Sequence, residues 1–204
     1  MKIIDTHQHL WDLSRFSYSW CEKIPALNRS FTMGDYLAAV GDLDVARTVH
    51  LEADVDEQFM LGETKYILDL AAEPDNPLAG VVACARPEGK DFPRYLEEIV
   101  GTPFLKGLRR VLHTQPDELI RHPTLRENIN TLADDNLSFD LCVRASQLPL
   151  AIKLVEACPR VTFILDHCGN PPLTDASSLA GWRRDLSEMA RLPHVVCKIS
   201  GLVT

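Results

Sequence analysis

The chain has 204 residues, enough for one domain with a substantial core, and its 46% hydrophobic and 25% charged content is that of a folded globular protein. A formal net charge of -8 disfavours nucleic acid, because phosphate backbones are met by basic surface. No cluster of Lys and Arg suggests a membrane patch, no apolar run approaches the roughly 18 residues that span a bilayer, and the N-terminus lacks the apolar core of a signal peptide, so a cytoplasmic protein is expected.

Short β-rich runs alternate with longer helical stretches. Residues 3–7 read as the first strand, followed by an aromatic- and Pro-rich loop from Leu10 to Phe31 and a short helix over 32–40. Thr32 is a suitable cap there, with Asp35 in the first turn, where negative charge is favourable. A strand over 45–51 precedes a helix over about 56–73, which must stop before Pro74. The unit then recurs: strand 80–85 and helix 91–100, strand 105–112 and a helix from after Pro123 to 135, strand 139–143 and helix 148–157, strand 161–165 and helix 179–191, and a last strand over 195–199. Regular alternation of this kind implies parallel strands with right-handed crossovers, and Val, Ile and Leu dominate as they do where both sheet faces are covered. Periodicity alone leaves an open doubly wound sheet and a (β/α)8 barrel as alternatives, although no Gly-rich phosphate loop follows the first strand.

The six cysteines (Cys21, Cys84, Cys142, Cys158, Cys168, Cys197) are dispersed without a CxxC, and read as reduced thiols. The polar residues gather where parallel α/β proteins place function, at the carboxyl ends of strands. His7 and His9 close the first strand, His50 and Glu52 the second, and Arg86 the third. Arg109, Arg110 and His113 follow along the fourth, Arg144 after the fifth, Asp166 and His167 at the sixth, Lys198 and Ser200 at the seventh. His7 and His9 are two apart, so both imidazoles leave the same strand face and can hold one divalent metal or meet one substrate carbonyl. His167 ends a buried strand beside Gly169, which lets the chain turn. Arg109 and Arg110 alternate, so one of them points inward; Arg109 serves either to grip substrate or to form a structural ion pair. Glu52 is the stronger site member of its pair, and His113 belongs at a pocket mouth. His122 and His194 read as surface or loop residues; Trp11, Phe16, Tyr18 and Trp20 either wall or lid a pocket or pack the long loop down, with packing preferred.

The segments IIDTHQHLW, FLKGLRRVLH, FILDHCGNP and VVCKISGL, taken in this order, resemble the amidohydrolase superfamily, and within it the branch of sugar-lactone hydrolases that includes the L-fuconolactonase and L-rhamnono-lactonase group. The resemblance implies a (β/α)8 barrel that opens an ester ring. His7, His9 and His167 would act at the carbonyl and the attacking water, and His7, His9 and His167 would also be the ligands of any metal. Arg109, Glu52, His113 and Arg144 would border a carbohydrate lactone. One divalent metal, zinc, and a metal-free site are the two cofactor alternatives. Where metal-dependent members supply a histidine from strand five, this chain has Asp140, Cys142 and Arg144. The family pattern also ends in an eighth strand with an aspartate as general base, whereas these residues finish at 201–204, just after strand seven. One barrel domain, C-terminally incomplete relative to the family, is therefore expected, with another subunit as one means of covering its edge. A metal-dependent decarboxylase of the same superfamily and a non-catalytic barrel that binds a ligand or partner are the rival readings.

Overall fold

The computed structural model describes residues 1–201; Leu202, with which the last motif ends, lies outside them. Seven strands occur among these residues: β1 (Ile3–Gln8), β2 (Val45–Leu51), β3 (Leu78–Cys84), β4 (Leu105–Val111), β5 (Ser138–Cys142), β6 (Phe163–Leu165) and β7 (Val195–Cys197). The helices between them are α1 (Met33–Val40), α2 (Met60–Ala72), α3 (Phe92–Ile99), α4 (Asp117–Ile120), α5 (Pro123–Thr131), α6 (Leu148–Glu156) and α7 (Ala176–Met189). The strand order follows the chain, β1-β2-β3-β4-β5-β6-β7. A doubly wound sheet reverses its order at a switch point. Parallel strands that add in one direction only, each followed by helix, form the (β/α) barrel arrangement.

Local chemistry explains the elements. Thr32 and Asp35 form a reciprocal capping box at the start of α1, a feature worth about 1 kcal/mol. Helix α2 is preceded by a 3-10 turn, Glu57–Phe59, and ends two residues before Pro74, whose ring excludes further helix. Most boundaries shift by one to four residues from expectation, as in β3, β6 and β7, and two differences have a local cause. Helix α7 begins at Ala176, not 179, because the Asp175 side chain accepts the Ser177 N–H and caps it there. The four-residue α4 is absent from the expected elements: it follows Pro116 and carries Asp117 and Glu118 in its first turn, but four residues are too few for a hydrophobic pattern to repeat.

The chain forms two compact units. The first comprises residues 1–84 and 97–106 and carries β1, β2, β3, α1 and α2. In it β1 pairs with β2 and β2 with β3, all parallel, and Leu51, Val55, Ile67, Leu78 and Val81 are buried. The aromatic loop after β1 is packed down as expected. Trp11 lies 4.3 Å from Phe31 between ring centres and Phe16 5.8 Å from Tyr66. Tyr18 is buried with its hydroxyl donating to Glu63 at 2.7 Å.

The second unit comprises, of the described residues, 85–96 and 107–201 and carries most of β4 with β5, β6 and β7. Parallel registers place Arg109 beside Asp140, Leu141 beside Leu165, and Leu165 beside Cys197. Phe139 and Phe163, also register partners, meet edge to face with centres 6.1 Å apart and are both fully buried. No helix of the described residues is long and apolar enough to cross a membrane.

Candidate active site

In the first unit, β1 alternates and sends His7 and His9 the same way; their rings meet edge to face with centres 5.0 Å apart. His9 is fixed by the strand beside it: its Nδ1 lies 2.9 Å from the carbonyl oxygen of Leu51 and 3.1 Å from that of Glu52. A carbonyl oxygen only accepts, so Nδ1 carries a proton, and the neutral form of the ring has its lone pair on Nε2. Glu52 is buried, and its Oε2 accepts the Asp54 N–H at 2.5 Å, bracing a left-handed Asp54 with φ of 52°. His50 is buried as well.

The second unit assembles a charged cluster from four strand ends. Arg109 on β4 meets Asp166 after β6 at 3.2 Å. Lys198, just past β7, lies 2.7 Å from Asp140 on β5 and 3.2 Å from Asp166. Asp140 and Asp166 are 1% and 0% exposed, and the cations beside them offset the cost of burying a carboxylate. Burial raises the Asp140 carboxyl to about 6 despite the opposing pull of Lys198. Arg110 turns the other way, as alternation requires, and pairs with Glu88 at 2.8 Å.

His167 stands on this cluster. It opens a run of left-handed residues, with φ of 53° at His167, 53° at Cys168, 70° at Gly169 and 51° at Asn170. Such conformations cost non-glycine residues on the order of 1–2 kcal/mol each and persist where surrounding contacts over-determine them. Here the Trp182 indole donates to the Cys168 carbonyl at 2.8 Å and the Asn170 side chain to the Val143 carbonyl at 2.8 Å. His167 Nδ1 lies 2.8 Å from the Ser200 hydroxyl. Burial lowers the His167 pKa below its usual value, with Arg109 and Lys198 adding to that and Asp166 opposing it, so the neutral ring is favoured.

His113 and Arg144 also belong to the second unit. His113 Nδ1 lies 3.2 Å from Cys142 Sγ, and Arg144 donates to the His113 carbonyl and to Asp117 at 3.2 Å. Arg109 is found in the ion pair that was one of its two expected roles. Asp140, Lys198, Ser200 and Gly201 carried no assigned role in the sequence, yet they surround His167 and its cluster. The visible signals were Asp140 where a histidine was expected, and polar residues recurring two apart in Lys198 and Ser200.

A family model described as Amidohydrolase matches residues 4–204. The chain belongs to this amidohydrolase family. It is 30% identical over 203 residues to an L-fucono-1,5-lactonase of Burkholderia ambifaria, covering 98% of this chain and 68% of that protein. An L-fucono-1,5-lactonase of Burkholderia multivorans is 30% identical over 208 residues, again covering 98% of this chain and 68% of the relative. Among solved structures, an amidohydrolase of Burkholderia multivorans with bound zinc superposes with a TM-score of 0.85 at 28% identity, covering 98% of this chain and 70% of that one. Family membership and the lactonase relatives make this protein a hydrolase.

Proposed function

We infer that the protein hydrolyses a sugar lactone, opening the ring ester to the corresponding hydroxy acid, with His7, His9 and His167 serving one reactive centre. The observation that carries this reading is how His9 is held: two backbone carbonyls engage its Nδ1–H, so the neutral form of the ring keeps its lone pair on Nε2. The lactonase relatives and the rule that barrel strands deliver function at their carboxyl ends support it.

A lone pair cannot donate to a carbonyl oxygen, so neutral His9 suits a divalent cation better than a bare substrate carbonyl. His7 and His9 would hold such an ion through imidazole nitrogens, with His167 a third donor only where it is not the base, while Asp140 is held by Lys198. A cation there would supply Lewis acidity to the ester carbonyl or to water. The protein's own residues orient and exchange protons. His167, kept neutral by burial, can take a proton from water as the oxygen adds to the carbonyl carbon. Collapse of the tetrahedral adduct breaks the ring C–O bond, and the proton returns to the departing alkoxide. In this reading His113 and Arg144 border the sugar at the mouth, and Glu52 and Arg109 shape the walls through Asp54 and Asp166. The substrate is a small carbohydrate ester of the cytoplasm.

Turnover of L-fucono-1,5-lactone and L-rhamnono-lactone, followed by acid release with added zinc or with chelator, tests the proposal. Hydrolysis that His7→Asn abolishes is expected, with chelator lowering it. Lack of turnover on either lactone by the well-folded, zinc-supplemented protein overturns it.

A further inference from the structure

Lys198, Ser200 and Gly201 close around the turn that carries His167. The Lys198 N–H donates to the Leu165 carbonyl at 2.9 Å, and the Cys168 N–H donates to the Lys198 carbonyl at 3.0 Å. One residue thus holds the main chain on both sides of Asp166 and His167, while its ammonium reaches Asp140 and Asp166. Two positions on, Ser200 Oγ sits 2.8 Å from His167 Nδ1. A Cβ at Gly201 would lie 2.8 Å from both Cγ and Nδ1 of His167, and Gly201 has φ of +67°, so any side chain there would push the imidazole away. The ring is clamped against one small hydroxyl.

A hydroxyl both donates and accepts, so this contact permits either neutral tautomer. The two differ in what Nε2 offers: a lone pair that takes a proton or holds a cation, or an N–H that does neither. An unrestrained neutral imidazole prefers its proton on Nε2, the wrong one for the chemistry above. Resting on that reading of His167, we propose that Ser200 is a positioning residue that accepts a hydrogen bond from His167 Nδ1–H and thereby fixes the Nδ1–H tautomer, with the lone pair on Nε2. Ser200 touches no reacting atom. It acts through His167 as the Leu51 and Glu52 carbonyls act through His9. Partners of this kind set the tautomer and orientation of a working imidazole. The backbone grip of Lys198 and the bare Cα of Gly201 give the contact its fixed geometry.

Nitrogen-15 NMR of the full chain labelled at histidine, at about pH 8, well above the ordinary imidazole range, reads the tautomer without substrate. The His167 signals are assigned as those missing from His167→Gln. The wild-type ring is expected to show a protonated Nδ1 and a bare Nε2, Ser200→Ala to shift the proton to Nε2, and Ser200→Thr to keep it on Nδ1. In lactone turnover, Ser200→Ala is expected to lower kcat about 10–100-fold while KM moves less than about twofold, and Ser200→Thr to recover most of the loss. An Nε2–H tautomer in the wild type, or an unchanged tautomer in Ser200→Ala, overturns the proposal. The wild-type spectrum decides even if Ser200→Ala folds poorly. A protein inactive on every lactone sinks the substrate assignment and leaves the tautomer result standing.

Discussion

The two compact units hold their strand-end histidines by different physical means. In the first, His9 leans on uncharged backbone, the carbonyls of Leu51 and Glu52, which a neighbouring parallel strand supplies at little cost. In the second, His167 occupies a left-handed backbone above a buried cluster of Arg109, Asp140, Asp166 and Lys198. The first support follows from strand alternation and pairing. The second carries conformational strain and the desolvation of four charges, and it survives only because each group is paired. One imidazole is thus built into the fold, and the other depends on it.

The sharpest way to break this comparison is to remove the rings themselves. His9→Asn and His167→Asn are each expected to cut kcat/KM on a lactone by about 10²–10⁴-fold, the span of a lost acid–base or electrostatic group; a variant retaining near wild-type turnover would show that its unit does not serve the chemistry. The next effect separates the supports. Lys198→Met leaves Asp140 and Asp166 buried without their shared cation and is expected to lower unfolding free energy by about 3–5 kcal/mol in urea titrations. A loss below about 1 kcal/mol, the worth of an exposed pair, would mean that the cluster is effectively solvated.

The cluster also gives the second unit a pH dependence. With Asp140 near 6 when folded against an ordinary 3.8, the folded protein binds this proton more tightly than the unfolded chain. The contribution is fully present below about pH 4 and is lost as pH rises through 6, amounting to roughly 3 kcal/mol at most. Comparison of Asp140→Asn with wild type at several pH values between these limits checks it: the wild type should lose stability relative to the variant as pH rises. The smallest effect belongs to the first unit alone. Thr32→Ala removes one half of the α1 capping box and is expected to cost about 1 kcal/mol with lactone turnover unchanged, measured by thermal melting alongside the assay.

How much of this was legible in the sequence follows the range of the forces involved. Strand β2 is found where the run of Val45 to Leu51 places it, α1 starts at its Thr32 cap, and α2 stops before Pro74, because propensity, capping and ring sterics act within a few residues. The same-side projection of His7 and His9 follows from a two-residue period. The cap at Asp175 is equally local, and it starts α7 three residues ahead of the expected 179. By contrast, Lys198 meets Asp140 across 58 positions of sequence and Ser200 meets His167 across 33, and no spacing rule reaches that far.

The sequence by itself determined the alternation of elements, their parallel sense, the family, and the candidate histidines at strand ends. Tertiary structure decided the rest: barrel order over a doubly wound sheet, an ion pair for Arg109, the buried charges around Lys198, and the hydroxyl and glycine that confine the His167 ring. The division has one physical cause. Backbone preferences and side-chain periodicity are properties of neighbouring residues, whereas the proton position and charge state of a buried group are set by whichever distant atoms the fold brings within about 3 Å of it.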